Sequence, residues 1–383
     1  MKRIYLDHNA STPLDPRILK TFLKELEEEE GNPSSIHFHG QQCRRKLEQS
    51  RQTIARFFQI KPQEVIFTSG GTEGAALLLQ GAILSVPGAH VISSGAEHAC
   101  VFQTLKEFDK RNVETTFLPV GQWGSVRPED VERAILPQTR LLSFMAVNNE
   151  TGVMTDIEAI AAIAQRAHIP FIVDGVAWLG KELVRIPPGI SAMFFSGHKI
   201  NAPKGVGFCI CRQNLKLVPL FAGGGQENNQ RAGTENLPGI VALAEAMTCL
   251  EEGQEPMIAH MRRLRDQLEQ ELLSRLPNVV VNGSGPRVSN TANLAFLGLD
   301  GESLLMNLDR EGISVSHGSA CSSGALEPSR ILLEMGIPLS HVRSSLRFSV
   351  GRTTTEEEIH QSIATIIKVV ERLRSLKKSG NDS

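Results

Sequence analysis

Reactive side chains in this sequence fall where apolar runs end. FIVDGVA leaves Asp174 at the end of one almost wholly apolar run, and MFFSGHKI leaves Ser196, His198 and Lys199 at the end of another. A carboxylate in such a place is costly unless it meets a cation or hydrogen-bond donors. A lysine there is either an ion-pair partner or an amine kept for chemistry. SGGTEGA, residues 69–75, follows the run EVIFT. Gly70 and Gly71 permit a tight turn, Thr72 adds a hydroxyl, and a helix opening there offers unsatisfied N–H groups. That set suits an anion such as phosphate, although a capped helix start uses the same residues. The stretch contains neither G-x-G-x-x-G nor G-x-x-x-x-G-K-[ST], so neither a dinucleotide nor a nucleoside triphosphate is indicated. His98, in AEHAC, is a helix cap or a functional ring, and AVNNETG places Asn149 and Glu150 at the end of a further run.

A phosphate cradle, a strand-end aspartate and a lysine 25 residues later are together what pyridoxal 5'-phosphate requires. The lysine condenses with the aldehyde, and the carboxylate keeps the pyridine nitrogen protonated so that the ring accepts electrons. His98 could stack on such a ring. One more segment, HGSACSSGALEPS (317–329), holds a single cysteine, Cys321, among small and polar residues. It is either a packing residue on a turn or a thiol that must reach a target. Few side chains around it could anchor a core, so the segment is expected to move.

The elements that must position these groups alternate. EVIFTS (64–69), HVISS (90–94), ETTFLPV (114–120), RLLSFMAV (140–147), PFIVD (170–174), SAMFFS (191–196) and GVGFCIC (205–211) read as strands, several of them covered on both faces. Helical stretches lie between them: one from Gly71–Thr72 through AALLLQGAIL, one near 98–109, and one over 156–168, for which Asp156 is an N-cap or first-turn acid. This rhythm predicts an α/β fold, with a large domain built on a mostly parallel seven-stranded sheet flanked by helices. Ligands of such sheets bind beyond the carboxyl ends of the strands, where the reactive clusters lie. After residue 235 the pattern changes. A long helical region over 237–275, broken near Glu255–Pro256, precedes shorter elements, a strand at 344–351 and a last helix over 354–378. A smaller α+β domain of residues 1–14 and 251–383 is expected beside a large domain of residues 15–250.

Bulk composition narrows the class. The chain has 383 residues, 41% hydrophobic and 21% charged, with a formal net charge of -2. That balance gives no support for nucleic-acid or membrane-surface binding. The start, MKRIYLDHNA, does not read as a secretory signal, and no apolar stretch is long enough to span a membrane. The cysteines at 43, 100, 209, 211, 249 and 321 are scattered. Cys209 and Cys211 share one face of a strand and read as packing thiols rather than a metal site. A reducing, cytoplasmic setting is expected.

Along its whole length the chain resembles the NifS/IscS-type cysteine desulfurases, fold-type I pyridoxal-phosphate enzymes of the class V aminotransferase superfamily. The resemblance rests on YLDHNASTP (5–13), GNPSS-x-H-x-x-G (31–40), TSGGTEG (68–74), EH (97–98), VNNETG (147–152) and VD (173–174). SGHK (196–199), GGGQE-x-x-x-RAGTEN (223–236), GSACSS (318–323) and RFS-x-GR (347–352) continue it in family order. It implies that Lys199 bonds to the cofactor, Asp174 pairs with its ring nitrogen and His98 stacks over the ring and moves protons. Gly71, Thr72, Ser196 and His198 would hold the phosphate, and Thr234 would reach that of a second subunit in a homodimer with shared active sites. Asn149 would lie near ring and substrate, and Arg347 would clamp the substrate carboxylate, where the bland alternative is a strand-edge salt bridge. Cys321 would attack the sulfur of L-cysteine, carry it as a persulfide and pass it to an acceptor or iron–sulfur scaffold protein, releasing alanine.

The chain departs from the family in places. Where members carry D-A-x-Q, it has Asp174-Gly175-Val176-Ala177, with no amide for the cofactor's phenolic oxygen. The helix start is Thr72-Glu73-Gly74-Ala75-Ala76, and His8 and Ser11 stand where other residues are more usual. A selenocysteine lyase or another enzyme of the same fold, and a weakly active sulfur-relay or scaffold protein, are the competing readings.

Overall fold

The computed structural model describes residues 3–28, 31–83, 86, 88–318 and 327–381. All seven apolar runs form strands of one sheet. After a short first strand, β1 (Ile4–Tyr5), they are β2 (Val65–Thr68), β3 (His90–Ser94), β4 (Glu114–Leu118), β5 (Thr139–Met145), β6 (Phe171–Asp174), β7 (Ala192–Ser196) and β8 (Gly207–Cys211). Their spatial order is β2-β8-β7-β6-β5-β3-β4. Pairing is parallel from β4 through β7, and β8 runs against both β2 and β7. Six strands therefore end at the same edge, and only β8 is reversed.

Alternation along these strands feeds two apolar layers. Phe171, Val173, Met193 and Phe195 pack on one face. Ile172, Ala192, Phe194, Cys209 and Cys211 pack on the other, so the C-x-C pair sits in core packing. Burial on both faces explains why the central runs read as continuously apolar. The helix Gly71–Ile83 lies close on the second face. A Cβ at Gly74 would stand 2.8 Å from the Phe194 Cβ and 3.0 Å from the Cys209 Sγ, so the unusual glycine in that helix start permits the approach. Asp156 is the N-cap of Ile157–Ala167, its carboxylate accepting from the Ala159 N–H at 3.0 Å.

The helix Leu237–Arg275 links two cores. Its first half packs Leu237, Leu243, Met247 and Leu250 into the sheet's core, and its second half packs Met261, Leu264, Leu268 and Leu272 into another. The break expected near Glu255–Pro256 falls at Gly253, two residues before Glu255. Proline strains the turn before it, by clashing with the carbonyl four residues back and withdrawing an N–H, so the break falls upstream. The second core surrounds an antiparallel sheet of β9 (Val279–Val281), β10 (Thr291–Phe296) and, after β11 (Ile313–Ser314), β12 (Ser345–Ser349), in the order β12-β10-β9. β1 pairs with β11 in parallel, and Ile4 and Leu6 are buried in this second core. The last helix, Glu356–Asn381, opens on a reciprocal cap. The Thr355 hydroxyl accepts from the Glu358 N–H, and the Glu358 carboxylate accepts from the Thr355 N–H.

Candidate active site

The common strand edge carries a cavity of about 160 Å³. Five strand ends line it: Gly71 and Thr72 after β2, His98 after β3, Asn149 after β5, Asp174 at the end of β6, and Ser196, His198 and Lys199 at and after β7. His8, Asn9 and Ala10 close one side, and Arg347 of β12 another. Nine of the eleven residues singled out from the sequence thus share one cavity. Thr234 is exposed and outside it. Cys321 lies outside the described residues. Of its described flanks, Ser316 exchanges backbone hydrogen bonds with the cavity-lining Arg347, and the Ser329 hydroxyl donates to buried Glu150, the residue after Asn149.

β7 ends in a single tight turn, Gly197–Lys199, which brings Lys199 back over the sheet edge. The turn is pinned by Thr12, whose N–H and hydroxyl both donate to the His198 carbonyl at 2.8 Å. The Lys199 Nζ donates to the carbonyls of Asn9 at 2.5 Å and Ala10 at 3.0 Å. Asp174 is 6% exposed and lies opposite Phe194 in the β6–β7 register, two residues from Ser196. Its carboxylate has one hydrogen bond among the described residues, from the Val176 N–H at 2.9 Å. Burial raises its carboxyl to about 6, against that amide and the Lys199 charge, which both favour the ionised form. Gly175 is needed where it stands, because a Cβ there would lie 2.3 Å from the Phe195 ring.

His98 is the helix cap that one of its two readings expected, and it also faces the cavity. It caps the helix Ala99–Phe108, with its Nδ1 accepting from the Cys100 N–H at 3.2 Å, and it lines the cavity. Burial, with the Lys199 and Arg330 charges, lowers its ring to about 4. The same burial, with the charges of Lys199, Lys181 and Lys204, lowers His198 to about 4. Both rings are therefore neutral at ordinary pH. The Asn149 Oδ1 is buried without a hydrogen-bond partner, while its backbone carbonyl accepts from the Arg347 Nη1 at 2.9 Å. Arg347, 2% exposed, also donates from Nη2 to Asp7 at 2.8 Å, and its Nε is buried and unpartnered. The salt-bridge alternative for Arg347 is thus present in the structure, with the Nε–H unpartnered among the described residues.

Two ionisable residues of the cavity were given no role in the sequence reading. Cys100 lies with its Sγ 3.0 Å from the His98 Nδ1, and burial raises its thiol well above the ordinary range. Lys181 reaches the cavity from a turn after β6. Its seven-residue offset from Asp174 carries no periodic signal. Ala177 lines the wall with no side-chain donor, and the neighbouring Trp178 indole N–H is buried without a partner among the described residues. No group of three or more metal-ligating side chains gathers among the described residues, and no described helix is long and apolar enough to cross a membrane.

Residues 4–361 match the family described as aminotransferase class-V. Over its full length the chain is 40% identical to cysteine desulfurase 2 of Trichormus variabilis, covering 96% of that protein. It is 38% identical to the cysteine desulfurase IscS of Dictyoglomus turgidum, over 98% of this chain and 97% of the relative. Among solved structures, a NifS-like protein superposes with a TM-score of 0.90 at 30% identity, over 97% of this chain and all of the other. SspA in complex with cysteine superposes with a TM-score of 0.81 at 29% identity, over 92% and 99%.

Proposed function

Because the chain belongs to the aminotransferase class-V family, we propose that it is a pyridoxal-phosphate-dependent cysteine desulfurase that moves sulfur from L-cysteine to its own Cys321. One observation carries this reading: Asp174 and Lys199, at the ends of adjacent parallel strands, share one cavity, and the carboxylate is buried with a single amide for company. A buried carboxylate so poorly partnered fits a cationic ring nitrogen. The orphaned Asn149 Oδ1 and the backbone turn at Gly70 and Gly71 fit the same cofactor.

When bound, pyridoxal phosphate supplies an aldehyde for an amine and a ring that withdraws electrons from the substrate's α-carbon. Lys199 would hold that aldehyde, and Asp174 would keep the ring nitrogen protonated. Gly71, Thr72, Ser196 and His198 would bind the phosphate, with Thr234 of a second copy completing the cradle. His98 would stack on the ring and handle the proton of the substrate thiol. Arg347 and Asn149 would orient the substrate carboxylate and ring. With its amine free, the Lys199 Nζ would accept the substrate's α-proton. The Cys321 thiolate attacks the substrate sulfur, a sulfur–sulfur bond forms, and the carbon–sulfur bond breaks. Net, cysteine and a thiol become alanine and a persulfide. Ser316 is five residues from Cys321, a span of at most about 18 Å when extended.

The division into a large unit of residues 15–250 and a small unit of residues 1–14 and 251–383 belongs to the same reading, supported by a second core built from Ile4, Leu6 and residues after 260, although Val288, Ile331, Leu332, Met335, Ile337 and Val342 pack into the first. So does a homodimer: Ile36 and Phe38 expose 90% and 66% of their surface, which suits a covered face. Delivery to an acceptor such as an iron–sulfur scaffold, in the cytoplasm, completes it. The test is incubation of the loaded protein with L-cysteine, measuring alanine and sulfide with and without reductant. Alanine is expected in both arms and sulfide only with reductant. Absence of both products from loaded protein overturns the assignment.

A further inference from the structure

Glu73 directly follows Thr72 in the turn that the proposed function gives to a phosphate. An acid in that place serves one purpose and opposes another. Its carboxylate stands in the first turn of the helix Gly71–Ile83 and reaches back to accept from the Ser69 N–H at 2.8 Å, which closes the turn of residues 69–72. It also sets a negative charge at the helix end where the phosphate would bind, and the two compete for the helix's positive pole. A closed turn that still admits a dianion requires the Glu73 charge to be cancelled where it stands.

Arg231 is placed to do this. It donates from Nε to the Glu73 Oε1 at 2.7 Å and from Nη2 to Oε2 at 3.3 Å, a two-pronged pair with side chains 21% and 9% exposed. Among the described residues it is the only ion-pair partner of Glu73. The chain takes an unfavourable path to bring it there. Glu227, Asn228 and Asn229 have φ of 48°, 55° and 64°, three residues running in the left-handed conformation that a Cβ disfavours. Glu227 pins that turn: its carboxylate holds Arg51 and accepts from the Phe67 N–H of β2, while Arg51 donates to the Val65 carbonyl of the same strand. One strained segment therefore grips both the strand that enters the turn of residues 69–72 and the helix that leaves it. Neither Glu73 nor Arg231 lines the cavity. We propose that Arg231 is a positioning residue for the phosphate cradle: it cancels the charge of the carboxylate that closes the turn, and so lets the turn accept a phosphate dianion.

The proposal rests on the reading of Gly71 and Thr72 as part of a phosphate cradle, and the experiment separates the two. Full-length protein is stripped of cofactor with hydroxylamine. Fluorescence titration at pH 7.5, where a phosphate monoester carries about two negative charges, then gives the Kd for pyridoxal phosphate and for pyridoxal, which lacks the phosphate. Wild type is compared with R231M, with E73Q, which keeps an acceptor for the Ser69 N–H without the charge, and with the double variant E73Q/R231M. R231M is expected to bind pyridoxal phosphate roughly tenfold more weakly, the effect of one uncompensated charge beside a dianion, and pyridoxal as wild type does. E73Q is expected to bind pyridoxal phosphate as tightly as wild type or more so, and the double variant to recover most of the R231M loss. An R231M protein that loses both ligands equally, or neither, overturns the proposal. So does a double variant as weak as R231M, since Arg231 would then act by shape and not by charge. If R231M does not fold, R231Q, which keeps a donor without the charge, carries the comparison. Wild type that binds pyridoxal as tightly as pyridoxal phosphate overturns the cradle reading, and the proposal with it.

Discussion

Replacing Asp174 by asparagine should make the cofactor-free protein more stable while abolishing its chemistry. Burial holds the Asp174 carboxyl at about 6 in the folded chain, against an ordinary value of 3.8. For an acid whose folded-state pKa is raised, ionisation favours the unfolded state. The penalty is absent below the unfolded value, grows as pH rises through 3.8, and is complete above about 6. A displacement of about 2 units corresponds to about 3 kcal/mol. Asparagine occupies the same space, keeps an oxygen for the Val176 N–H and carries no charge to desolvate. Urea unfolding of cofactor-free D174N at pH 7.5 should therefore show about 3 kcal/mol more stability than wild type, falling to about 1 kcal/mol near pH 4.5. Adding pyridoxal phosphate should reverse the order, because only wild type offers the ring nitrogen a counter-charge. A D174N protein less stable than wild type at pH 7.5 without cofactor would refute the reasoning, since it would mean that the carboxylate is satisfied within the protein.

Further outcomes follow from other contacts. C321S should lose alanine formation and protein-bound persulfide while binding the cofactor with wild-type absorbance; turnover at the wild-type rate would remove Cys321 from the chemistry. A177Q supplies the amide missing from the cavity wall and should tighten cofactor binding about fivefold, a net hydrogen bond of about 1 kcal/mol, measured by fluorescence titration. G175A places a methyl 2.3 Å from the Phe195 ring and should cost about 1–3 kcal/mol in urea unfolding. Arg51 and Glu227 form a buried two-pronged pair that also receives the Phe67 N–H. R51M should cost about 3–5 kcal/mol by stranding Glu227, and R51M/E227L should recover most of it.

The sequence made the sheet legible because its strands are buried on both faces and bounded by polar ends. The same contrast displayed the site, since Asp174, Ser196 and Lys199 stand out only against FIVD and AMFF. Residues 16–58 received no element, although the structure builds the helices Pro16–Glu28 and Phe38–Phe58 there. The latter buries Cys43, Leu47, Ser50 and Ile54 along one stripe. A polar serine and an arginine, Arg51, on the inward side blur the apolar period that would reveal it. Lys181 and Cys100 were missed for a different reason. They enter the cavity from turn and helix positions, whose direction depends on tertiary packing rather than on local pattern. Arg347 was read by its likeness to a carboxylate clamp, and its engagement with Asp7 is a contact between opposite ends of the chain that no local pattern encodes.

That engagement has a consequence for anything that binds at Arg347. Asp7 is a tethered rival, a carboxylate that cannot diffuse away and that acts at an effective concentration on the order of millimolar. An incoming carboxylate must displace it or share the guanidinium with it, so weak anions at low concentration leave the site filled by the chain's own carboxylate. A ligand that wins the exchange loosens Asp7 next to β1, and the first residues of the chain then sense an event at the cavity.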